Sequence, residues 1–265
     1  SGSTVVVCDG TYVENVEIDT DLTLESLNGS GSVTIDGDGN GACIYLRLGT
    51  VSITGFTLTD GTGEPHPVNT TATTGGGITI LGADPATLDD IVFRANEADF
   101  GAGLFGNEGC VVTLSNSSFD LNTAETSGGA AYLWGCTTSF DNVVTEDNYA
   151  AWGGGIYVDE GTLDLDQCTF DDNYATDWGG GIYAGEGSAI TASADTLVTG
   201  NTAADWGGGL MMDTGSTWSG GEIYGNDADL GGGFFSYTDG TADNAIEDLI
   251  CEANDADTSG GCGYI

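Results

Sequence analysis

The sequence predicts an all-β fold, a right-handed parallel β-helix of about ten rungs of roughly 26 residues each. Three observations predict it: a phrase that recurs along most of the chain, apolar residues that alternate with period two, and glycines at a fixed place in each repeat. A chain of 265 residues has the length of one solenoid domain. We therefore expect a single domain over residues 1–265, with divergent rungs over 1–74 and regular glycine-rich rungs over 75–265.

The recurring phrase contains an asparagine, an alanine two residues later and then a glycine run. Its asparagines are Asn96, Asn122, Asn148, Asn173, Asn201, Asn226 and Asn254. The glycine runs, counted from a degenerate copy at Gly75, begin 24 to 29 residues apart. Helical repeats need about 33 residues or more and propeller blades about 40, so a β-solenoid remains. Leucine-rich repeats share the period, but their L-x-x-L-x-L phrase is missing.

The apolar residues indicate short strands with one face inward, as where Ile156 and Val158 flank Tyr157. About three such strands fit in a rung, and rungs stack at about 4.8 Å, so each residue lies over its counterpart. We expect the repeated asparagines to point inward and to hydrogen-bond at a tight corner. The glycines permit positive φ or close backbone approach at the next corner.

The first 74 residues form the opening rungs, and their residue pattern differs from that of the later repeats. Their strand-like runs are residues 5–16, 22–24, 33–37 and 51–58. Residues 61–74 include Pro65, His66 and Pro67, and we expect them to form a loop projecting from one corner. The apolar runs are far too short to span a bilayer, so we expect no membrane insertion.

The charge of the chain limits its partners. Against 42 acidic residues stand two arginines and one histidine, which gives a formal net charge of −40. Nucleic acid is excluded as a partner on electrostatic grounds. A compact fold with this charge needs ambient salt or bound cations, which indicates an extracellular or cell-surface location.

Some of these motifs carry a family resemblance. The phrases are Phe93-x-x-Asn96, Phe119-x-x-Asn122 and Phe170-x-x-Asn173, with Gly-Gly-Gly-Ile at 153–156 and 179–182. They resemble the F-x-x-N and G-G-A-I repeats of polymorphic outer membrane proteins, which are surface-exposed adhesins. The opening rungs look like the pectate-lyase-like superfamily of right-handed β-helices. The resemblance implies an extracellular location and adhesion, and its motifs specify the coil rather than any chemistry.

Stacking predicts columns of acidic residues. One group lies just before the asparagines, namely Asp120, Glu146, Asp147, Asp171 and Asp172, and another just before the glycine runs, namely Asp177, Asp205 and Asp229. Like charges about 5 Å apart repel by roughly 1 kcal/mol per pair in water. Calcium, which accepts six to eight oxygen ligands, would reverse that repulsion, and we expect these residues to bind it. The alternative is a solvated acidic face in a salty habitat.

A local motif points to calcium independently. Asp36, Asp38 and Asn40 reproduce the first half of the D-x-[DN]-x-[DN]-G loop. The twelfth position holds Arg47 instead of glutamate, so the bidentate ligand is missing. The segment is either a calcium site completed from another rung or a glycine-rich turn.

Aromatic residues also recur in register. The set is Trp152, Trp178 and Trp206 before the glycines, with Tyr157 and Tyr183 after them. An exposed aromatic ladder on a parallel sheet suits a glycan or a cell-surface protein as partner. Alternatively, these side chains stack on each other and seal a corner.

Seven cysteines without a C-x-x-C pair argue against a zinc site and favour disulfides. Cys110 and Cys136 occupy equivalent places one rung apart, so we expect a disulfide between them. Further candidate pairs are Cys8 with Cys43 and Cys251 with Cys262, which leaves Cys168 over. Buried free thiols are the alternative.

Three functions remain open: a cation-stabilised adhesion module, a glycan-binding module, and a polysaccharide lyase or glycoside hydrolase. Elimination from a uronate needs a base and positive charge, which only Arg47, Arg94 and His66 could supply. They fall in different rungs or loops, and we expect Arg94 to pair with Asp120 one rung on. The composition therefore favours binding over catalysis. The partner and the oligomeric state are left open by the sequence.

Overall fold

The rungs of the chain form three parallel sheets. The computed structural model describes residues 2–82 and 85–265, and all of the helices and strands assigned in those two ranges are β-strands, with no helix among them. Pairing between neighbouring rungs is parallel, and one short antiparallel pair joins Glu64–Pro65 to Thr73–Thr74. One of the three sheets contains one strand from each of ten rungs, which confirms the predicted β-helix. None of the described residues lies in a helix that could cross a lipid bilayer.

Sheet 1 is the widest of the three, because most rungs contribute two segments to it. Its strands are Ser3–Val7, Gly10–Val13, Leu22–Ser26, Val33–Asp36, Val51–Thr59, Pro85–Arg94, Val111–Ser115, Ser118–Asp120, Thr137–Asp141, Val144–Glu146, Thr162–Asp166, Thr169–Asp171, Ala189–Thr199, Thr217–Tyr224, Ala245–Glu247 and Ile250–Glu252. Four of them are long enough to cover both segments of a rung.

Sheets 2 and 3 consist of short strands, one from each rung that reaches them, except that one rung contributes both Glu64–Pro65 and Thr73–Thr74 to sheet 3. Sheet 2 consists of Val16–Ile18, Ile44–Leu46, Ile78–Ile80, Leu104–Gly106, Ala131–Trp134, Ile156–Asp159, Ile182–Ala184, Leu210–Met212, Phe234–Ser236 and Gly263–Tyr264. Sheet 3 consists of Glu64–Pro65, Thr73–Thr74, Glu97–Phe100, Thr123–Ser127, Tyr149–Trp152, Tyr174–Trp178, Thr202–Trp206, Asp227–Leu230 and Asp255–Ser259.

A typical rung runs from sheet 2 through sheet 1 to sheet 3. One example is Ala131–Trp134, Thr137–Asp141, Val144–Glu146 and Tyr149–Trp152. The sequence predicts about three strands per rung, whereas this rung has four. The extra division arises because Asn142 adopts a left-handed conformation with φ 54°, which bends the sheet 1 segment. Asparagine tolerates this conformation better than most residues.

Inward-facing apolar side chains from the three sheets fill the core. Leu114, Phe140 and Leu165 form one column, since their strands pair in register and each side chain is at most 3% exposed. Phe93 and Phe119 stack in the neighbouring column with ring centroids 4.3 Å apart. The alternation with polar neighbours is the period-two pattern that the sequence shows.

The repeated asparagines form a continuous inward ladder, as predicted. The Nδ2 atom of Asn122 donates to Oδ1 of Asn148 at 2.9 Å, and the backbone amide of Asn122 donates to the same oxygen at 3.0 Å. The Nδ2 atom of Asn122 also donates a hydrogen bond to the carbonyl oxygen of Phe93 at 3.0 Å. The residue before each ladder asparagine has positive φ, as at Asp147 and Asp172. This conformation makes the corner tight enough to turn the amide inward.

The glycine runs form the next corner, between sheet 3 and sheet 2, again as predicted. Gly153, the first glycine of its run, has φ 62°, which a side chain would strain. A Cβ on Gly154 would collide with the Tyr174 carbonyl of the next rung. Glycine is therefore required at this corner for both conformation and space.

The segment 61–74 folds back against the helix. Glu64–Pro65 and Thr73–Thr74 pair as a short hairpin at the end of sheet 3. The His66 ring lies 5.3 Å from the Phe100 ring and 5.8 Å from the Phe105 ring. Burial lowers the pKa of His66, which favours its neutral form.

Two disulfides link cysteines of the chain. Cys110 and Cys136, for which the sequence predicts a bridge, are joined with their Cα atoms 4.7 Å apart. Cys251 is joined to Cys262. The candidate pair of Cys8 with Cys43 is wrong, because both thiols are free. Cys8 follows a sheet 1 strand and is exposed, whereas Cys43 precedes a sheet 2 strand and is buried.

Candidate functional site

The acidic residues before the asparagines form a column on sheet 1. Arg94, Asp120, Glu146 and Asp171 are register partners on four successive rungs. Arg94 pairs with Asp120 at 3.2 Å, which confirms the predicted ion pair. The arginine neutralises only the first carboxylate, so the charges of Glu146 and Asp171 are left to repel each other.

Asp147, Asp171 and Asp172 crowd one part of this column. The pKa of Asp171 is raised, first by burial and then by the charges of Asp172 and Asp147. A Cβ on Gly200 would lie 2.7 Å from Oδ1 of Asp172 and 2.8 Å from Oδ1 of Asp171, so both carboxylates flank the same glycine. A cation would relieve this repulsion. Within residues 2–82 and 85–265, however, no three His, Cys, Asp or Glu side chains are arranged to hold a metal ion.

The second acidic column lies apart from the first, on sheet 3. Asp177, Asp205 and Asp229 each precede one of the register partners Trp178, Trp206 and Leu230. Asp229 accepts a hydrogen bond from the hydroxyl of Thr258 on the next rung. The structure thus forms two separate acidic columns from the predicted set.

The local motif at Asp36 forms a turn. Oδ1 of Asp36 accepts a hydrogen bond from the backbone amide of Asp38 at 2.8 Å, and the amide of Asn40 donates to the Gly37 carbonyl at 3.0 Å. Arg47 does not approach the turn, because it pairs with Glu17 on sheet 2 at 2.6 Å. One carboxylate oxygen of the motif is thereby occupied in shaping the turn itself.

The aromatic residues form two neighbouring columns whose rings contact each other across a glycine corner. Trp152, Trp178 and Trp206 stack at the end of sheet 3 with centroid separations of 5.7 and 5.0 Å. Tyr157 and Tyr183 stack on sheet 2 at 4.5 Å. The glycine corner between the columns carries no side chains, so the tryptophan rings can close over it.

Contact between the two aromatic columns buries part of their side chains. Trp178 lies 6.4 Å from Tyr183, centroid to centroid. Tyr183 is therefore only 3% exposed, although its side chain points away from the helix core. Trp152, Trp178, Trp206 and Tyr157 are half-buried. Sequence alternation gives the direction of each side chain but does not show which column covers which.

A groove remains open at one end of the converging columns. Its volume is about 330 Å³, and its lining residues are Trp178, Tyr183, Trp206, Met211, Asp213 and Tyr237. Tyr237 is 44% exposed at its rim. The hydroxyl of Tyr183 donates to Oδ2 of Asp213 at 3.2 Å. We name this the aromatic groove; it combines apolar ring faces with one carboxylate.

A chain of phenols and carboxylates continues from this groove along sheet 2. The hydroxyl of Tyr132 donates to Oδ2 of Asp159 at 3.0 Å. Burial raises the pKa of Asp159; the bond from Tyr132 opposes this, while the charges of Asp213 and Glu186 add to it. Burial also raises the pKa of Tyr183, so its hydroxyl keeps its proton and acts as a donor.

Sequence reasoning missed several of the surface aromatic and acidic residues. Tyr149 and Tyr174 stack on sheet 3 at 5.7 Å and are 42% and 41% exposed. The signal was present as the phrase Asn-Tyr-Ala in two successive rungs. Asp213 and Tyr237 stand outside the repeated phrases, so no pattern in the sequence marks them.

Parallel rungs, an inward asparagine ladder and glycine corners define a protein of the β-helix class. The profile of the family described as right handed beta helix region matches residues 23–228. The chain belongs to that family.

Comparisons with individual proteins add two similar structures. No curated protein matches the chain. Among solved structures, the chain is similar to a pectin methylesterase from Aspergillus niger in its deglycosylated form, with 15% identity and a TM-score of 0.37 over 98% of this chain and 80% of that one. The penultimately deglycosylated form of that enzyme gives the same identity and TM-score over 98% and 81%.

Proposed function

We propose that this chain is an extracellular surface module of the β-helix class that binds a neutral glycan in the aromatic groove. The observation that carries this proposal is the groove itself, where Trp178, Trp206 and Tyr237 surround a space of about 330 Å³ beside Asp213. Ring faces supply apolar contact area, and a few placed polar groups orient a ligand. Asp213 offers an acceptor to sugar hydroxyl groups.

The charge of the protein selects among glycans. A net charge of −40 repels polyanionic sugars such as uronates from every direction. The single ionisable carboxylate in the groove, Asp213, adds to that repulsion at the site. Neutral sugars avoid this cost and can still donate to the carboxylate.

We further propose that cations stabilise the module. The crowding of Asp147, Asp171 and Asp172 supports this, since the charges of Asp172 and Asp147 add to the burial that raises the pKa of Asp171. Calcium bound between carboxylates, or screening by salt, would lower the free energy of the folded state. An extracellular location is supported by the two disulfides, Cys110–Cys136 and Cys251–Cys262, which persist in oxidising compartments.

A glycan array followed by titration of the best neutral ligand tests the proposal. Tyr237→Ala removes a rim residue of the groove and should weaken binding by about tenfold or more. Tyr224→Ala is the matched control, since Tyr224 is 46% exposed on sheet 1, outside the groove, and Tyr237 is 44% exposed. Equal loss in both variants contradicts the proposal. Product analysis on the same samples separates binding from turnover, and new reducing ends or unsaturated products would favour the enzyme instead.

A further inference from the structure

A second groove lies on sheet 3, away from the aromatic groove. Its volume is about 610 Å³, and it runs from the hairpin at Thr62 and Thr73 past Glu97 and Glu125 to Tyr149. We name it the acidic groove. Beyond the hairpin it crosses three further rungs, because Glu97, Glu125 and Tyr149 belong to the strands Glu97–Phe100, Thr123–Ser127 and Tyr149–Trp152. A space of this size suits several residues of a ligand rather than a single ion.

Hydrogen bonds hold the hairpin wall of the acidic groove against sheet 3. The backbone amide of Thr73 donates to Oδ2 of Asp99 at 2.6 Å, and the amide of Asp99 donates to the Thr73 hydroxyl at 3.1 Å. The amide of Glu97 donates to the Gly61 carbonyl at 2.8 Å. The groove is therefore formed before any ligand arrives, which lowers the entropic cost of binding.

Two carboxylates in the acidic groove have no partner. Glu97 and Glu125 are exposed, and neither side chain forms an ion pair or hydrogen bond with the described part of the chain. The nearby cation Arg94 is engaged by Asp120. These charges stand in the field of a strongly acidic protein, so a cationic ligand gains both from contact and from long-range attraction.

An aromatic platform closes the far end of the groove. Tyr149 stacks on Tyr174 on one side, with 14° between the ring planes. On the side facing the groove its register partner is Thr123, which has no ring to cover it. The exposed ring of Tyr149 is thus placed to receive a cation, and guanidinium groups stack well on tyrosine faces.

We propose that the acidic groove docks an extended, arginine-bearing segment of a partner protein. Arginine fits both features of the groove, because its guanidinium pairs with carboxylates such as Glu97 and Glu125 and stacks on Tyr149. An ammonium group on a sugar would use the carboxylates but would gain less from the ring. This proposal is independent of glycan binding, since the two grooves share no residue.

Calorimetric titration with a peptide of alternating arginine and serine tests the proposal at low and high sodium chloride. We expect binding at low salt that weakens at high salt, and no binding of the matching glutamate-serine peptide. The double variant Glu97→Gln/Glu125→Gln should lose about tenfold or more in affinity, and Tyr149→Ala should lose several-fold at unchanged net charge. Replacement of arginine by lysine in the peptide should weaken binding.

The control variant is Asp164→Asn/Asp166→Asn, which removes the same charge from exposed positions on sheet 1. All altered side chains are exposed, and melting curves check that each variant is folded. An equal loss of affinity in the control would overturn the proposal, because binding would then be diffuse attraction to an acidic surface. Tighter binding of a glucosamine oligomer than of the arginine peptide would overturn it as well.

Discussion

The Nδ2 atom of Asn148 donates a hydrogen bond to Oδ1 of Asn173, which lies 3.0 Å away on the next rung. The same oxygen accepts the backbone amide of Asn148 at 3.2 Å. One amide oxygen thus satisfies two buried donors of the adjacent rung, and a rung cannot slip without breaking both bonds. The acidic and aromatic columns depend on this register, since they consist of residues at equivalent places in successive rungs.

Removal of one amide from the ladder should destabilise the fold. Asn173 receives two hydrogen bonds from Asn148 and donates to Asn201 and to the Thr145 carbonyl. Asn173→Ala leaves several of these buried groups unpaired, so we expect the free energy of unfolding to fall by about 2–4 kcal/mol. Urea denaturation followed by circular dichroism measures it. Asn28→Ala, at an exposed asparagine, should cost less than about 0.5 kcal/mol, and equal costs would contradict the role of the ladder.

The fold could be predicted because its main elements repeat. Each Asn and each glycine run marks one corner of a rung, and the spacing of these marks gives the length of the rung. The bend at Asn142 could not be predicted as readily, since its column varies in sequence, with Asn116 and Gln167 at the equivalent places. The free state of Cys8 depends on which sheet its neighbours join, and the divergent first rungs do not reveal that.

The candidate site could be predicted only in part. The tryptophan and tyrosine columns follow from register, and the pairing of Arg94 with Asp120 follows from the same argument. The burial of Tyr183 does not follow from register, because it results from tryptophan rings that close over a glycine corner from a different sheet. The aromatic groove also needs Tyr237, which lies in a non-repeating segment after the strand Phe234–Ser236.

Cations should raise the melting temperature at low ionic strength. Calcium bound between Asp147, Asp171 and Asp172 would relieve their repulsion, so under this proposal we expect a chelator to lower the melting temperature in dilute buffer. At about 1 M sodium chloride the screening length is near 3 Å, and the effect of calcium should shrink. Asp171→Asn should reduce the calcium effect more than Asp164→Asn. A melt that is indifferent to chelator at every salt concentration would contradict calcium binding and leave screening by salt as the only stabilising effect of cations.

Acidification should stabilise the protein through Asp159. Burial raises the pKa of this carboxyl above its ordinary value, so the folded state binds more protons than the unfolded state in the window between the two values. The free energy of unfolding therefore increases as the pH falls through the raised pKa of Asp159, and it decreases as the pH rises through that pKa. Asp159→Asn keeps an acceptor for Tyr132 and should raise the melting temperature at pH 7 with a smaller gain on acidification. An unchanged pH profile would rule out this contribution.

The free thiols should differ widely in reactivity. Burial raises the pKa of Cys43 to about 12 and that of Cys168 to about 11, whereas Cys8 is exposed. The raised pKa keeps the Cys168 thiol protonated near neutral pH, and burial blocks access as well. A maleimide reagent followed by peptide mass spectrometry should modify Cys8 first in the native protein and all three after denaturation. Rapid native labelling of Cys43 would contradict its buried position.

The register of successive rungs can be measured by engineered disulfides. Thr113 and Ser139 are register partners with exposed side chains on sheet 1. They lie on adjacent rungs, as the disulfide-bonded Cys110 and Cys136 do. In a Cys8→Ser background, Thr113→Cys/Ser139→Cys should form a disulfide under mild oxidation, detected by mass spectrometry of a non-reduced digest. Thr113→Cys/Asp141→Cys places the cysteines about 8 Å apart and should stay reduced. Cross-linking of the second pair but not the first would contradict the stacking on which both grooves depend.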